Sequence, residues 1–185
     1  MKPFSLLLSL LLCTASGALA QSKYHTRTGR ISFFSSAPLE NIEAHNEQVA
    51  AVFDLQTGQL AFTVPMRAFV FRNALMQEHF NENYVESEKY PRATFAGQLA
   101  GWSATETLAP GTTRNVTVEG DLTIHGVKRH VRVPGTLALR GNALAVNAKF
   151  AVAPADYQIE IPLLVREHIA KTVTITVALT CSPQP

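Results

Sequence analysis

Apolar and polar residues alternate with a period of two along most of this chain. Val173-Thr174-Ile175-Thr176-Val177-Ala178-Leu179-Thr180 sets apolar residues on one face and mainly threonine on the other, the pattern of a half-buried strand. Gln48 to Leu55 and Gln59 to Val64 form two further strands across Gln56-Thr57-Gly58, where glycine supplies the positive φ of a hairpin loop. Ala93 to Trp102, Val116 to His125, Val131 to Leu139 and Leu144 to Val152 continue the series, with Gly126 and Gly141-Asn142 in the turns. Thr26 to Ser36, with Ile31 and Phe33 apolar, supplies an N-terminal strand. Many strands at short spacing with few helices predict an antiparallel sandwich or barrel.

One segment departs from this period. In Asn73 to Tyr84 (NALMQEHFNENY), Leu75, Met76, His79, Phe80 and Asn83 fall at offsets of one, three and four, on one helical face. Asn73 is placed to cap that helix. A second short helix is expected over Leu163 to Ala170 after Pro162, with Arg166 and Glu167 outward. Ser103 to Asn115 reads as an exposed loop. The expectation is a mainly β fold with one or two short helices across its openings.

The first twenty residues have another character. Lys2 precedes Leu6-Leu7-Leu8-Ser9-Leu10-Leu11-Leu12, and Ala18 and Ala20 stand in an A-x-A arrangement. This is the layout of a signal peptide cleaved after Ala20, and the apolar run is short of the roughly 20 residues that span a bilayer. Taking 20 residues from the 185 leaves a domain of 165, residues 21–185, large enough for one sizeable core. With Lys2 gone, 15 basic residues face 14 acidic ones. A nearly neutral chain carries no electrostatic signal for nucleic acid or an anionic surface, and no later segment reaches transmembrane length. The leader implies a periplasmic or secreted protein. Cys13 leaves with it, so Cys181 has no intramolecular partner; it reads either as a small residue ending the last strand or as a regulatory or intermolecular thiol.

Catalytic patterns are missing. There is no G-x-S-x-G, Cys-x-x-Cys, P-loop or G-x-G-x-x-G, and the six histidines form no H-x-H or H-E-x-x-H pair. Glu78 and His79 with Glu82 and Glu86 come nearest to a metal cluster, but no spacing points to further ligands, and they read as a solvated acidic face. His125 ends a strand before a glycine turn, placed either to reach a ligand head group or to be satisfied by nearby backbone. Asp121 lies on its face but roughly 13 Å away along the chain. No catalytic residue, metal or cofactor is called for.

Three stretches together resemble the YceI-like lipid-binding family. Phe71 to Tyr84 (FRNALMQEHFNENY) with Glu88 to Gly97 (EKYPRATFAG) looks like its helix and following strand. Gly120 to Arg129 (GDLTIHGVKR) resembles its second signature, and Asp156-Tyr157-Gln158-Ile159 with Pro162 its third. The stretches occur in the right order and span most of the chain. The polar segment Pro38 to Gln48 (PLENIEAHNEQ) departs from the pattern. The resemblance implies an extended, lipocalin-like antiparallel barrel of about eight strands holding a long polyisoprenoid or fatty-acyl chain, in a secreted or periplasmic protein that is often a homodimer.

An eight-stranded barrel is wide enough for one thin ligand. Alternation nominates Phe62, Met66, Phe69, Phe71, Phe95, Leu122, Ile124, Val133, Val146, Phe150 and Ile175 as its ligand-binding lining, with Val64, Val131, Leu144, Val173 and Val177 beside them. Leu75, Met76 and Phe80 on the helix would close one mouth. The same residues would equally line an ordinary filled core. Two other functions stay open: a lipid-modifying enzyme using the same cavity, and a protein-interaction module of the cell envelope without a lipid.

Overall fold

A computed structural model describes residues 22–184. The expected signal peptide, its Cys13 and the new terminus Gln21 lie outside the described residues. Nine strands follow in chain order: β1 (Lys23–Ser36), β2 (Asn41–Asp54), β3 (Gln59–Pro65), β4 (Val70–Phe71), β5 (Arg92–Leu99), β6 (Thr113–Ile124), β7 (Val127–Arg140), β8 (Ala143–Val152) and β9 (Val173–Pro183). One α-helix, α1 (Ala74–His79), runs into a π-helical turn over Phe80–Tyr84. The sheet order is β1-β9-β8-β7-β6-β5-β3-β2, and β1 pairs again with β2, so eight antiparallel strands close into a barrel. The two-residue β4 only tags the edge of β2 at Ala44 and His45.

Closure leaves no free edge, and it sorts the alternating positions into an inner and an outer face. The inner face is filled at one end only. Tyr24, Val49, Phe53, Leu60, Leu99, Leu137, Leu144, Leu179 and Cys181 are all buried there. Trp102 seals that end: its indole N–H donates to the Leu55 carbonyl at 2.7 Å, and Arg114 stands over its ring. The opposite end carries the β1–β2 turn, the Met66–Pro91 excursion with α1, the β6–β7 hairpin and the long β8–β9 connection.

The β7–β8 ladder runs only from Gly135–Ala148 to Arg140–Ala143. Pro134 comes next and has no N–H to donate. The first half of β7 therefore parts from β8, leaving a seam in the barrel wall. A 3₁₀ turn over Pro154–Tyr157 covers it, held by Arg129 Nε donating to the Asp156 carbonyl at 2.9 Å.

Three expectations are corrected. The polar stretch Pro38 to Gln48 is mostly barrel wall, because Asn41 onward pairs with β1. Its inward positions are Ile42, the small Ala44 and the fully buried polar Asn46, so apolar alternation is faint there. Asn46 is satisfied by donating to the Pro65 carbonyl and accepting from Gln48 N–H, both at 2.8 Å. The helix expected over Leu163 to Ala170 is a single 3₁₀ turn, Leu163–Val165. Backbone groups of that segment go instead to the β1–β2 end of the barrel: the Glu167 carbonyl accepts from Leu39 N–H, and Ala170 N–H donates to Ser35 Oγ. Finally, the strand begun at Ala93 stops at Leu99, and the loop after it is not wholly exposed, since Leu108 is buried and Glu106 pairs with Arg114.

Candidate ligand cavity

The unfilled end of the barrel encloses a cavity of about 430 Å³, within the 300–1,000 Å³ range of small-molecule sites. Five strands contribute inward residues two apart: Ile31, Phe33 and Ser35 from β1, Phe62 and Val64 from β3, Leu122 and Ile124 from β6, Phe150 and Val152 from β8, Val173 and Ile175 from β9; β2 and β5 add Ile42 and Ala93. Met66, Phe69, Phe71, Leu75, Met76 and Phe80 come from the excursion that carries α1, and Ile159, Ile161, Val165 and Ile169 from the β8–β9 connection.

One wall is aromatic. Phe33, Phe69, Phe71 and Phe80 stand with ring centroids 5.0 to 5.6 Å apart, in tilted, edge-on and stacked arrangements. Rigid rings and adaptable thioethers together suit a ligand of constant width and variable conformation. Asn73 caps α1, accepting from Leu75 N–H at 2.8 Å, and the π-helical turn that continues α1 brings Phe80 into this wall. Below lies a floor: Phe62 and Phe95 stack at 5.0 Å, and the Phe95 ring reaches over Gly97 and Gly120, which face each other on β5 and β6. A Cβ on either glycine would come within 2.8 Å of that ring and within 2.4 Å of a neighbouring carbonyl oxygen.

Polar groups cluster at the mouth. His168 Nδ1 lies 3.4 Å from a Glu40 carboxylate oxygen, and both line the cavity with Asn73, His79 and Ser35. No lysine or arginine is among the lining residues.

His125 does not reach the cavity. Its Nε2 lies 2.8 Å from the Glu86 carboxylate and its Nδ1 lies 3.1 Å from the Tyr157 carbonyl. Both partners are oxygen acceptors, and the ring spans the space between them. The Tyr90 ring packs edge-on against it at 4.5 Å. His125 and Gly126 both have positive φ, as a tight two-residue hairpin requires, and Glu86 does too. One side chain thus ties the Glu86 turn, the β6–β7 hairpin and the seam-covering turn together. The hydrogen bond from His125 holds the Glu86 carboxyl below its usual range, with help from Lys89. Asp121 is held low by His130, 3.0 Å away, and then by Lys128.

Of the fourteen residues nominated from sequence, eleven line the cavity: Phe62, Met66, Phe69, Phe71, Leu75, Met76, Phe80, Leu122, Ile124, Phe150 and Ile175. Phe95, Val133 and Val146 do not; they are buried in the floor and the filled half, as are Leu144 and Val177, while Val131 is half-buried and also away from the cavity. Alternation marks the inward face but not the height along the strand. The reading missed Phe33, Val152, Ile159, Ile161, Val165 and the Glu40–His168 pair. Ile31-x-Phe33-x-Ser35 and Ile159-x-Ile161 carry the same alternation and could have revealed some of them. Of the acidic residues on and after α1, Glu86 turns to His125, and among the described residues no three His, Cys, Asp or Glu side chains gather as a metal site. Burial pushes the Cys181 thiol up to about 11, which removes its thiolate character and makes it a packing residue.

A family model described as the YceI-like domain matches residues 21–181. The chain belongs to the YceI-like family. Solved structures share the YceI-like barrel. A polyisoprenoid binding domain from Saccharophagus degradans, implicated in plant cell wall breakdown, is 18% identical with a TM-score of 0.77, over 89% of this chain and 99% of that one. BcnA of Burkholderia cenocepacia is 21% identical with a TM-score of 0.67, over 82% and 95%. A YceI protein of Campylobacter jejuni is 13% identical with a TM-score of 0.60, over 76% and 84%. No curated protein gave a significant match. Among the described residues no helix is long and apolar enough to cross a membrane.

Proposed function

We propose that this protein is a carrier that holds one long apolar chain, a polyisoprenoid or a related acyl lipid, in the open half of its barrel. The observation that carries this reading is the division of the barrel into a filled end and an open end whose walls are almost wholly carbon. Burying a methylene is worth roughly 0.8 kcal/mol, so ten of them supply about 8 kcal/mol, the scale of a micromolar affinity before ordering costs. The polyisoprenoid-binding relative supports an isoprenoid as the occupant. The polar mouth would face the head group. With no lysine or arginine in the lining, an uncharged head suits it better than a phosphate.

Carriage rather than catalysis is the activity proposed. His168 is engaged by Glu40 at the rim, and the deep walls offer no acid–base pair to a buried lipid. The N-terminal pattern of Lys2, the leucine run and Ala18-x-Ala20 supports export to the periplasm or beyond, where such a carrier would move lipid between membranes.

Mass spectrometry of an organic extract, beside the intact mass, tests this reading. Wild type is expected to release a stoichiometric isoprenoid or acyl species from a chain beginning at Gln21. Phe150→Trp, which fills the cavity, is expected to keep its circular dichroism and lose most of that lipid. Equal lipid in both proteins would remove the cavity from the proposal.

A further inference from the structure

The cavity opens through a rim of leucines. Leu164 is 96% exposed, Leu163 74%, Leu39 62% and Leu75 56%. They come from three separate segments that converge on the mouth. The bond from Leu39 N–H to the Glu167 carbonyl, 3.1 Å, clamps the β1–β2 turn to the segment bearing Leu163 and Leu164. Leu75 and Val165 themselves line the cavity, so carbon surface leads from the rim to the interior beside the polar Glu40–His168 pair. Single exposed leucines are ordinary on a protein surface, whereas several gathered at one opening mark a place where another apolar phase makes contact.

Charge on these segments nearly cancels. Arg72, Arg166 and Lys171 make no ion pair among the described residues, and neither do Glu78, Glu82, Glu160 and Glu167; Glu40 is engaged by His168. A neutral collar around an apolar tip matches a surface that is itself zwitterionic outside and hydrocarbon beneath. The β1 N-terminus lies at the opposite, filled end, so the barrel can stand mouth-down on such a surface.

We propose that this leucine rim docks on the surface of a lipid bilayer, seating the mouth so that a lipid passes between membrane and cavity without crossing water. The proposal rests on the reading of the cavity as a lipid site, and it adds where the cargo is exchanged. Docking is carried by the leucines and depends little on salt.

Cosedimentation of the mature protein with phosphatidylcholine vesicles tests it, at low and high salt. Wild type is expected to pellet with the vesicles under both conditions. A Leu163→Ser, Leu164→Ser double variant is expected to bind on the order of tenfold less, because two freely exposed side chains no longer partition into the interface. Both residues are exposed, so the variant keeps its circular dichroism and the lipid found in its organic extract. Wild type remaining in the supernatant, or the double variant pelleting equally, overturns the proposal. So does light scattering that shows a dimer dispersed by the double substitution with no vesicle binding, since the rim would then be covered by a second copy. Vesicle binding by a protein whose extract holds no lipid would instead sink the cargo reading and leave docking intact.

Discussion

His125 shows how one side chain can organise a region outside the cavity. Its two hydrogen bonds need two acceptors, and those acceptors come from positions 39 and 32 residues away. The strained positive φ of Glu86 and His125 is sustained by that bridge. A pH dependence follows. Glu86 and Asp121 have folded-state pKa values below their usual 4.5 and 3.8, so the stability they contribute is present above those values and is lost as pH falls through the lowered ones. The thermal midpoint is therefore expected to drop on acidification below about pH 4.5. His125→Phe should lower the midpoint at neutral pH and flatten the acid slope, because Glu86 loses the partner that depressed it. Melting curves from pH 7 to pH 3 check this; an identical acid slope in both proteins would show that the bridge contributes nothing.

At the scale of elements, the floor separates the two halves of the barrel. Strands β5 and β6 approach closely at Gly97 and Gly120, and the ring of Phe95 occupies the space that two Cβ atoms would take. Gly120→Ala is expected to cost on the order of 1–3 kcal/mol, by overpacking against Phe95 and the Ala96 carbonyl. Urea denaturation measures it, and a midpoint equal to wild type would mean that the floor yields freely. Much at this scale was legible in the sequence. The period-two runs located most of the barrel strands, and Asn73 with the offsets of Leu75, Met76 and Phe80 located the helix. The rest was hidden for identifiable reasons. Strand β2 buries Ala44 and Asn46 where a larger apolar residue would have announced it. The segment after Pro162 stops at a 3₁₀ turn with i,i+3 bonds, and its later groups, the Glu167 carbonyl and Ala170 N–H, are taken by Leu39 and Ser35, far away in sequence. The level of the floor depends on how eight strands stagger, so Phe95, Val133 and Val146 could not be told from Phe62, Phe150 and Ile175 by pattern alone.

As a whole, the molecule is a closed barrel whose inner face is packed at one end and encloses an apolar cavity at the other. The filled half supplies a conventional core, from Tyr24 to Cys181, and relieves the open half of having to hold the strands together. The open half is walled by the aromatic cluster, roofed by α1 and the Val165–Ile169 segment, and sealed at the β7–β8 seam by the turn that His125 and Arg129 fasten. The most direct measurement is native mass spectrometry of the delipidated protein after incubation with a long-chain polyprenol in a releasable detergent. A one-to-one complex that is absent from Phe150→Trp is the expected result. A wild-type protein that stays at its unliganded mass throughout would contradict the assignment of the cavity to a long apolar chain.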